Sequence, residues 1–174
     1  MNKDIRPKQN IRFITIRQAL NNGMKRLKEF KIPNPNLEAR ILLEYVTGLS
    51  REEIFLKEEI IIDLKLLEHY NELISRRCSR EPLSYITNKK EFWGLEFYIT
   101  NNVLDPRPDT ETLLEAALSL ISDKNLPIKI LDFGTGSGCI ILSLLKEFPN
   151  SIGVAVHIDN NALDVARKNV IKLS

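Results

Sequence analysis

The chain is short of the residues that build metal centres, disulfide frameworks and membrane anchors. Its two cysteines, Cys78 and Cys139, stand far apart in 174 residues, and neither belongs to a Cys-x-x-Cys pair. That excludes closely spaced thiolate metal sites and a disulfide-stapled secreted scaffold, and no metal is expected. No apolar run approaches the ~20 residues needed to span a bilayer. The opening stretch "MNKDIRPKQN" lacks the apolar segment of a secretory signal, so a cytoplasmic protein is the expectation. Charge of one sign is scarce too. A net charge of +2 is too small to argue for binding to nucleic acid or a membrane surface. Of the two histidines, His69 lies among helical segments, where a packed or surface role outweighs a catalytic one.

What is present is the composition of a folded, globular protein: 43% hydrophobic and 28% charged. The first eighty or so residues read as a small helical bundle. "ITIRQALNNGMKRLKEFKI" spaces Ile16, Ala19, Leu20, Leu27 and Phe30 along one helical face. In "NPNLEARILLEYVTGLS", Asn34-Pro35 starts a helix and Gly48 stops it. Ser50 and Glu53 form a capping box for a short helix. "DLKLLEHYNELISRRCSREP" carries Leu66, Leu67, Tyr70, Leu73 and Ile74 on one stripe and stops before Pro82. Such stripes are core, since each amphipathic helix must bury a face. Arg76, Arg77 and Arg80 make a basic patch, read first as a solvated helix end near the negative dipole terminus and second as a contact for an anionic partner.

A segment of hairpin character follows, over residues 82–108. Phe92, Trp93, Phe97, Tyr98 and Ile99 flank Gly94, which predicts two short strands and a turn, with a second turn at Asn101-Asn102. "DPRPDTETLLEAALSLI" then enters a helix for which Asp109 or Thr110 can serve as cap, with Glu111 suited to the positive helix start. Arg107 lies between two prolines that restrict its backbone. From physics alone this is a helix entry. A stiff loop bearing Arg107, Pro108, Thr110 and Glu111 is also able to wall a site.

The chemistry is concentrated after Ile128. "IKILDFG" is a buried strand entering a turn, "GTGSG" supplies Gly134, Gly136 and Gly138, and "CIILSLLKEF" continues as an apolar helix. "IGVAV" is the next strand and "NNALDVARKNVIKL" an amphipathic helix. The β-α-β-α order predicts a parallel sheet with right-handed crossovers. Glycines at such a strand-to-helix turn let backbone approach a ligand closely, beside the positive helix start. The spacing is G-x-G-x-G, not the G-x-G-x-x-G of dinucleotide sites. Asp132, just before the first glycine, is unsuited to an anionic pyrophosphate. It suits a ligand with an ammonium group, which favours S-adenosylmethionine over NAD.

"LDFGTGSGCIILSLLKEFPNSIGVAV" with "ALDVARKN" closely resembles the cofactor half of the HemK/PrmC family. These S-adenosylmethionine-dependent methyltransferases modify the glutamine side-chain nitrogen in the Gly-Gly-Gln motif of peptide chain release factors. "EPLSYITNKKEFWGLEF" resembles the family's hairpin segment, "VLDPRPDTETLLEAAL" resembles its PRP-acid-Thr-Glu loop, and the helical bundle is similar to its five-helix substrate-docking domain. The resemblance implies an α/β protein: a helical bundle over 1–81, a hairpin linker over 82–108, and the first part of a Rossmann-like methyltransferase sheet over 109–174. It implies that Asp132, Gly134 and Gly136 contact the methionine end of the cofactor, that Thr135 and Ser137 offer amides, that Gly138 completes the turn, and that Arg107, Pro108, Thr110 and Glu111 shape the pocket wall. The partner implied is a release factor, with no direct contact to nucleic acid or membrane.

The sequence departs from the family in three places. His157 stands where the family has an acid that binds the cofactor's ribose. A hydrogen bond to a charged group is worth about 1.5–3 kcal/mol, roughly 10- to 100-fold in affinity, with Asp159 as a stand-in two residues on. Asp105 replaces an apolar residue before Pro106, and Asn88 replaces a common glycine. The family's catalytic Asn-Pro-Pro-Tyr motif does not occur, so no catalytic residue is assigned. The expectation is an inactive N-terminal piece from a truncated or split gene, whose "KILDF" strand lacks a neighbour and exposes an apolar edge. A non-catalytic module that binds a release factor or the ribosome is the alternative, with an NAD-dependent oxidoreductase fragment behind it.

Overall fold

Side-chain chemistry sets the helix ends of the first half. The computed structural model describes residues 13–174, so the stretch scanned above for a secretory signal lies outside the described residues. Helix α1 (Ile16–Glu29) begins with a capping box: Thr15 Oγ1 accepts from the Gln18 amide at 3.2 Å, and the Gln18 side chain accepts from the Thr15 amide. Helix α2 (Pro35–Thr47) starts at Pro35 after a left-handed Asn34 and stops at left-handed Gly48. Ser50 and Glu53 close the expected capping box on α3 (Arg51–Leu56). Asp63 caps α4 (Leu64–Cys78) by accepting from the Lys65 and Leu66 amides.

These four helices bury Ala19, Leu27, Ala39, Leu42, Leu43, Tyr70, Leu73 and Ile74. Phe30 and Leu66, placed above on the apolar stripes, are exposed, because each lies at an end of its helix rather than over the core. Gly23 is needed inside α1: a Cβ there would lie 2.1 Å from Tyr70 Oη, which itself donates to the Ala39 carbonyl. The basic patch closes the bundle from within. Arg76 makes a two-pronged pair with Glu81, Arg77 pairs with Glu38, and Arg80 donates to the Phe30 and Lys31 carbonyls. Each of these guanidinium groups is thus engaged by at least one protein acceptor.

Contacts divide the chain after Glu81, and Pro82–Ser174 form a second unit. It opens with a helix that the sequence reading did not separate from the hairpin, α5 (Leu83–Thr87), whose five residues are too few to show a period. Asn88 ends it at φ 55° and donates from Nδ2 to the Ile99 carbonyl at 2.9 Å. Asparagine is among the side chains that tolerate this conformation, so it serves in place of glycine. Strands β1 (Lys89–Phe92) and β2 (Leu95–Tyr98) pair antiparallel through a Trp93-Gly94 turn with both φ values positive, the type I′ pattern.

After the hairpin, Asp105 lies within 3.3 Å of Lys90 Nζ as an ion pair out of line for a hydrogen bond, which accounts for the acid before Pro106. Residues Pro108–Thr110 form one 3-10 turn leading into α6 (Glu111–Leu120). The capping expected from Asp109 or Thr110 is not made, because Thr110 already has helical backbone angles and its side chain bonds to no amide.

The remainder alternates: β3 (Lys129–Phe133), α7 (Cys139–Glu147), β4 (Ile152–Val156) and α8 (Asn160–Leu173). β3 and β4 are parallel, with Asp132 opposite Ala155 and Phe133 opposite Val156. Helix α7 presses closely on β4 because Gly153 has no side chain; a Cβ there would lie 2.8 Å from Ile141 Cδ1. Phe92, Phe97, Ile99, Val103, Leu114, Cys139, Ala162 and Val165 share one core. The hairpin segment therefore packs with α6, α7 and α8 and is not a free linker. Leu131, Phe133, Ile152 and Val154 are each more than half exposed, and β3 pairs only with β4 among the described residues. No described helix is long and apolar enough to cross a membrane, and no cluster of three metal-ligating side chains occurs among the described residues.

Candidate functional site

The chain leaves β3 at Phe133 and folds over the end of β4. The Val156 carbonyl accepts from the Gly134 amide at 2.8 Å and the Thr135 amide at 3.1 Å. One residue on, His157 Nδ1 accepts from the Gly136 amide at 3.2 Å. The turn closes on itself where the Gly138 amide donates to the Thr135 carbonyl at 2.8 Å. Thr135 Oγ1 donates to Asp132 Oδ2 at 2.8 Å, fixing the carboxylate beside the turn. Asp132, Gly134, Thr135, Gly136 and His157 are thus brought together by hydrogen bonds.

The three turn glycines do different work. Gly134 and Gly136 hold φ values of 76° and 55°, and a Cβ on Gly134 would meet nothing within 4 Å, so the backbone there faces open space. At Gly138 a Cβ would lie 3.2 Å from Leu142 Cδ1 and 3.6 Å from the Ala166 Cβ. Gly138 also holds φ 80°, so both its backbone conformation and the packing at the start of α7 favour glycine there.

The amides of Gly134, Thr135, Gly136 and Gly138 are all bonded to protein acceptors: Val156 for the first two, His157 for the third, and Thr135 within the turn for the last. Thr135 therefore does not offer the amide expected of it, and among the described residues only the Ser137 amide of this turn has no protein acceptor. A turn so bonded is a poor cradle for phosphate, which needs several free amides. Its open features are the Asp132 carboxylate and the backbone above Gly134 and Gly136. These suit a cationic, phosphate-free ligand. They fit the ammonium and sulfonium of S-adenosylmethionine, with Asp132 as the residue that would hold the ammonium. Cys139, next along, is buried, and burial pushes its thiol up, so it is no nucleophile.

The other predicted residues make no hydrogen bond to the turn. Asp159 caps α8, its Oδ1 accepting from the Asn161 amide at 2.9 Å. Arg107 and Pro108 are exposed. Glu111 turns to the hairpin and accepts from the Trp93 amide at 2.8 Å. The Trp93 indole donates to Glu147 at 2.9 Å, so two carboxylates hold a turn residue whose own φ is 51°. One residue escaped the sequence reading: Asn169, wholly buried on α8 and bonded to both Tyr98 and Ser137. Its signal was there, as a polar residue in the apolar stripe of Ala162, Val165 and Ala166.

Comparison with known proteins bears on this arrangement. Residues 18–87 match the PrmC N-terminal domain. A release factor glutamine methyltransferase of Koribacter versatilis is 39% identical over 160 residues, 92% of this chain and 57% of that protein. The release factor glutamine methyltransferase of Rhodospirillum rubrum is 37% identical over 90% of this chain and 47% of its own length. A bifunctional methyltransferase of Rickettsia typhi is 38% identical over 91% of this chain and 34% of its own. The chain spans about a third to just over half of the length of these relatives. By these matches residues 18–87 are similar to the PrmC N-terminal domain, and nine-tenths of the chain is similar to part of the release factor glutamine methyltransferases.

Proposed function

We propose that this chain supplies the methyl-donor half of a release factor glutamine methyltransferase. In this reading β3, α7, β4 and α8 open a Rossmann-like sheet, the turn at 134–138 holds S-adenosylmethionine, and the helical unit docks a peptide chain release factor in the cytoplasm. One observation carries it: a glycine turn in which the amides of Gly134, Thr135, Gly136 and Gly138 are bonded to protein acceptors, with the Asp132 carboxylate fixed at its edge by Thr135. The similarity to methyltransferases over nine-tenths of the chain supports it.

When bound, the cofactor supplies an activated methyl on its sulfonium, so the protein's task is positioning. Asp132 binds and orients the ammonium. Gly134 and Gly136 allow close approach of the methionine portion. His157, whose Nδ1 is engaged by Gly136, presents Nε2–H to the ribose in its neutral form. No residue of the chain is assigned to holding the glutamine.

Calorimetry with S-adenosylmethionine tests this directly. Binding is expected, and Asp132→Asn should weaken it about tenfold through loss of one charged contact. Binding of NAD with no response to S-adenosylmethionine would reject the reading. Methyl transfer to a release factor, assayed with the chain alone and with a lysate supplement, tests the substrate.

A further inference from the structure

Asn169 occupies a position that its helix would ordinarily give to an apolar residue. It is fully buried, one turn on from Val165 and Ala166. A buried carboxamide is costly unless its acceptor and its two donors are all satisfied. Here they are. Oδ1 accepts from the Tyr98 amide at 2.6 Å, while Nδ2 donates to the Tyr98 carbonyl and to the Ser137 carbonyl, both at 2.9 Å. The side chain meets Tyr98 as a neighbouring strand would, exchanging two bonds with one residue. Its third bond clamps the glycine turn between Gly136 and Gly138.

We propose that Asn169 is a positioning residue that makes the hairpin and the glycine turn move as one body. The proposal rests on reading that turn as the methyl-donor site. Continuity of bonding supports it. The Trp93 turn is held by Glu111 at the start of α6 and by Glu147 at the end of α7, β2 leads from that turn to Tyr98, and Asn169 carries the link to Ser137. A load on the hairpin, such as a protein substrate would apply, is thereby delivered to the backbone that cradles the cofactor. Removing the carboxamide leaves three backbone groups without partners and uncouples the two segments.

The test uses the full chain with Asn169→Ala and Asn169→Ser, and Leu114→Ala as a control that truncates the same core without touching these bonds. Amide hydrogen exchange, read without ligand, should quicken at least tenfold at Tyr98 and across 134–138 in the Asn169 variants, while Leu114→Ala at equal loss of melting temperature leaves the turn unchanged. The affinity for S-adenosylmethionine should fall about 2- to 30-fold in the Asn169 variants only. If the wild-type chain binds no S-adenosylmethionine, the reading of the site fails while hydrogen exchange still judges Asn169. Equal loosening in the Leu114 variant, or unaltered exchange at the turn in both Asn169 variants, overturns the proposal. Should the variants not fold, the wild-type Asn169 Nδ2 protons decide it: slow exchange that tracks the Gly138 amide is expected, and fast exchange refutes it.

Discussion

The Gly136 amide donates to Nδ1 of His157 across 3.2 Å, joining the middle of the glycine turn to the first residue beyond β4. The imidazole's one acceptor is thereby used. In the neutral ring the proton sits on Nε2, so His157 is able to donate to a ribose hydroxyl but not to accept from one.

His157→Asp should tighten S-adenosylmethionine binding about tenfold, because a carboxylate has an oxygen for Gly136 and another for the ribose. His157→Leu should weaken it, since the Gly136 amide loses its partner. Titration calorimetry on the three proteins checks the order. An Asp variant that binds no tighter than the native chain would show that position 157 does not face the ribose.

Gly23→Ala should destabilise the helical unit, against the usual gain of about 1 kcal/mol for that change inside a helix. The added Cβ would lie 2.1 Å from Tyr70 Oη in a filled core. A loss of about 1–3 kcal/mol is expected from overpacking, read from urea denaturation. Adding Tyr70→Phe should restore part of it, since the Tyr70 Cζ, at 2.8 Å, remains in the way. A stabilised Gly23→Ala protein would mean that the two helices separate at no cost.

Lys90→Met strands the Asp105 carboxylate, whose side chain is 15% exposed. Breaking a mostly buried ion pair from one side should cost about 1–3 kcal/mol, whereas Lys90→Met with Asp105→Leu should recover most of that loss, because apolar replacement of both partners is often neutral. Chemical denaturation of both variants measures the difference. Equal losses would show that the pair contributes nothing beyond its volume.

The chain's single tryptophan, Trp93, reports on Glu147. Bonding to Lys124 first, and to the Trp93 indole second, holds the Glu147 carboxyl below its ordinary value. A lowered carboxylate contributes its stability above its unfolded value and loses it as pH falls through the lowered one. Trp93 fluorescence should therefore stay constant at neutral pH and change in the acid range below the ordinary carboxylate value. Glu147→Gln should abolish that step. An identical step in the Gln variant would assign it to another group.

Local chemistry was the legible part of this fold. Ser50 with Glu53, Gly48 after α2, and Gly94 between aromatic runs each marked an element end, because the groups that decide such ends lie within a few residues. The order β3-α7-β4-α8 followed from the glycine turn and two kinds of periodicity. Engagement across long separations was not legible. Nothing local shows that Asn169 meets residues 32 and 71 positions away, or that Glu111 serves the hairpin from 18 positions on. The same holds for Gly136 reaching His157 over 21 positions. That bond changes what the histidine is able to do for a ligand.

Helix α7 lies where it does because two side chains are missing. At Gly153 the vacancy admits Ile141 and Leu145 from the helix; at Gly138 it admits Leu142 and Ala166. The depth at which the turn rides over the strand ends is set by subtraction. A relative that kept Gly134 and Gly136 but filled these two vacancies would display the motif while lifting the helix, and the turn with it, off its seat. Fidelity of the site is better judged by the two silent glycines than by the two that face outward.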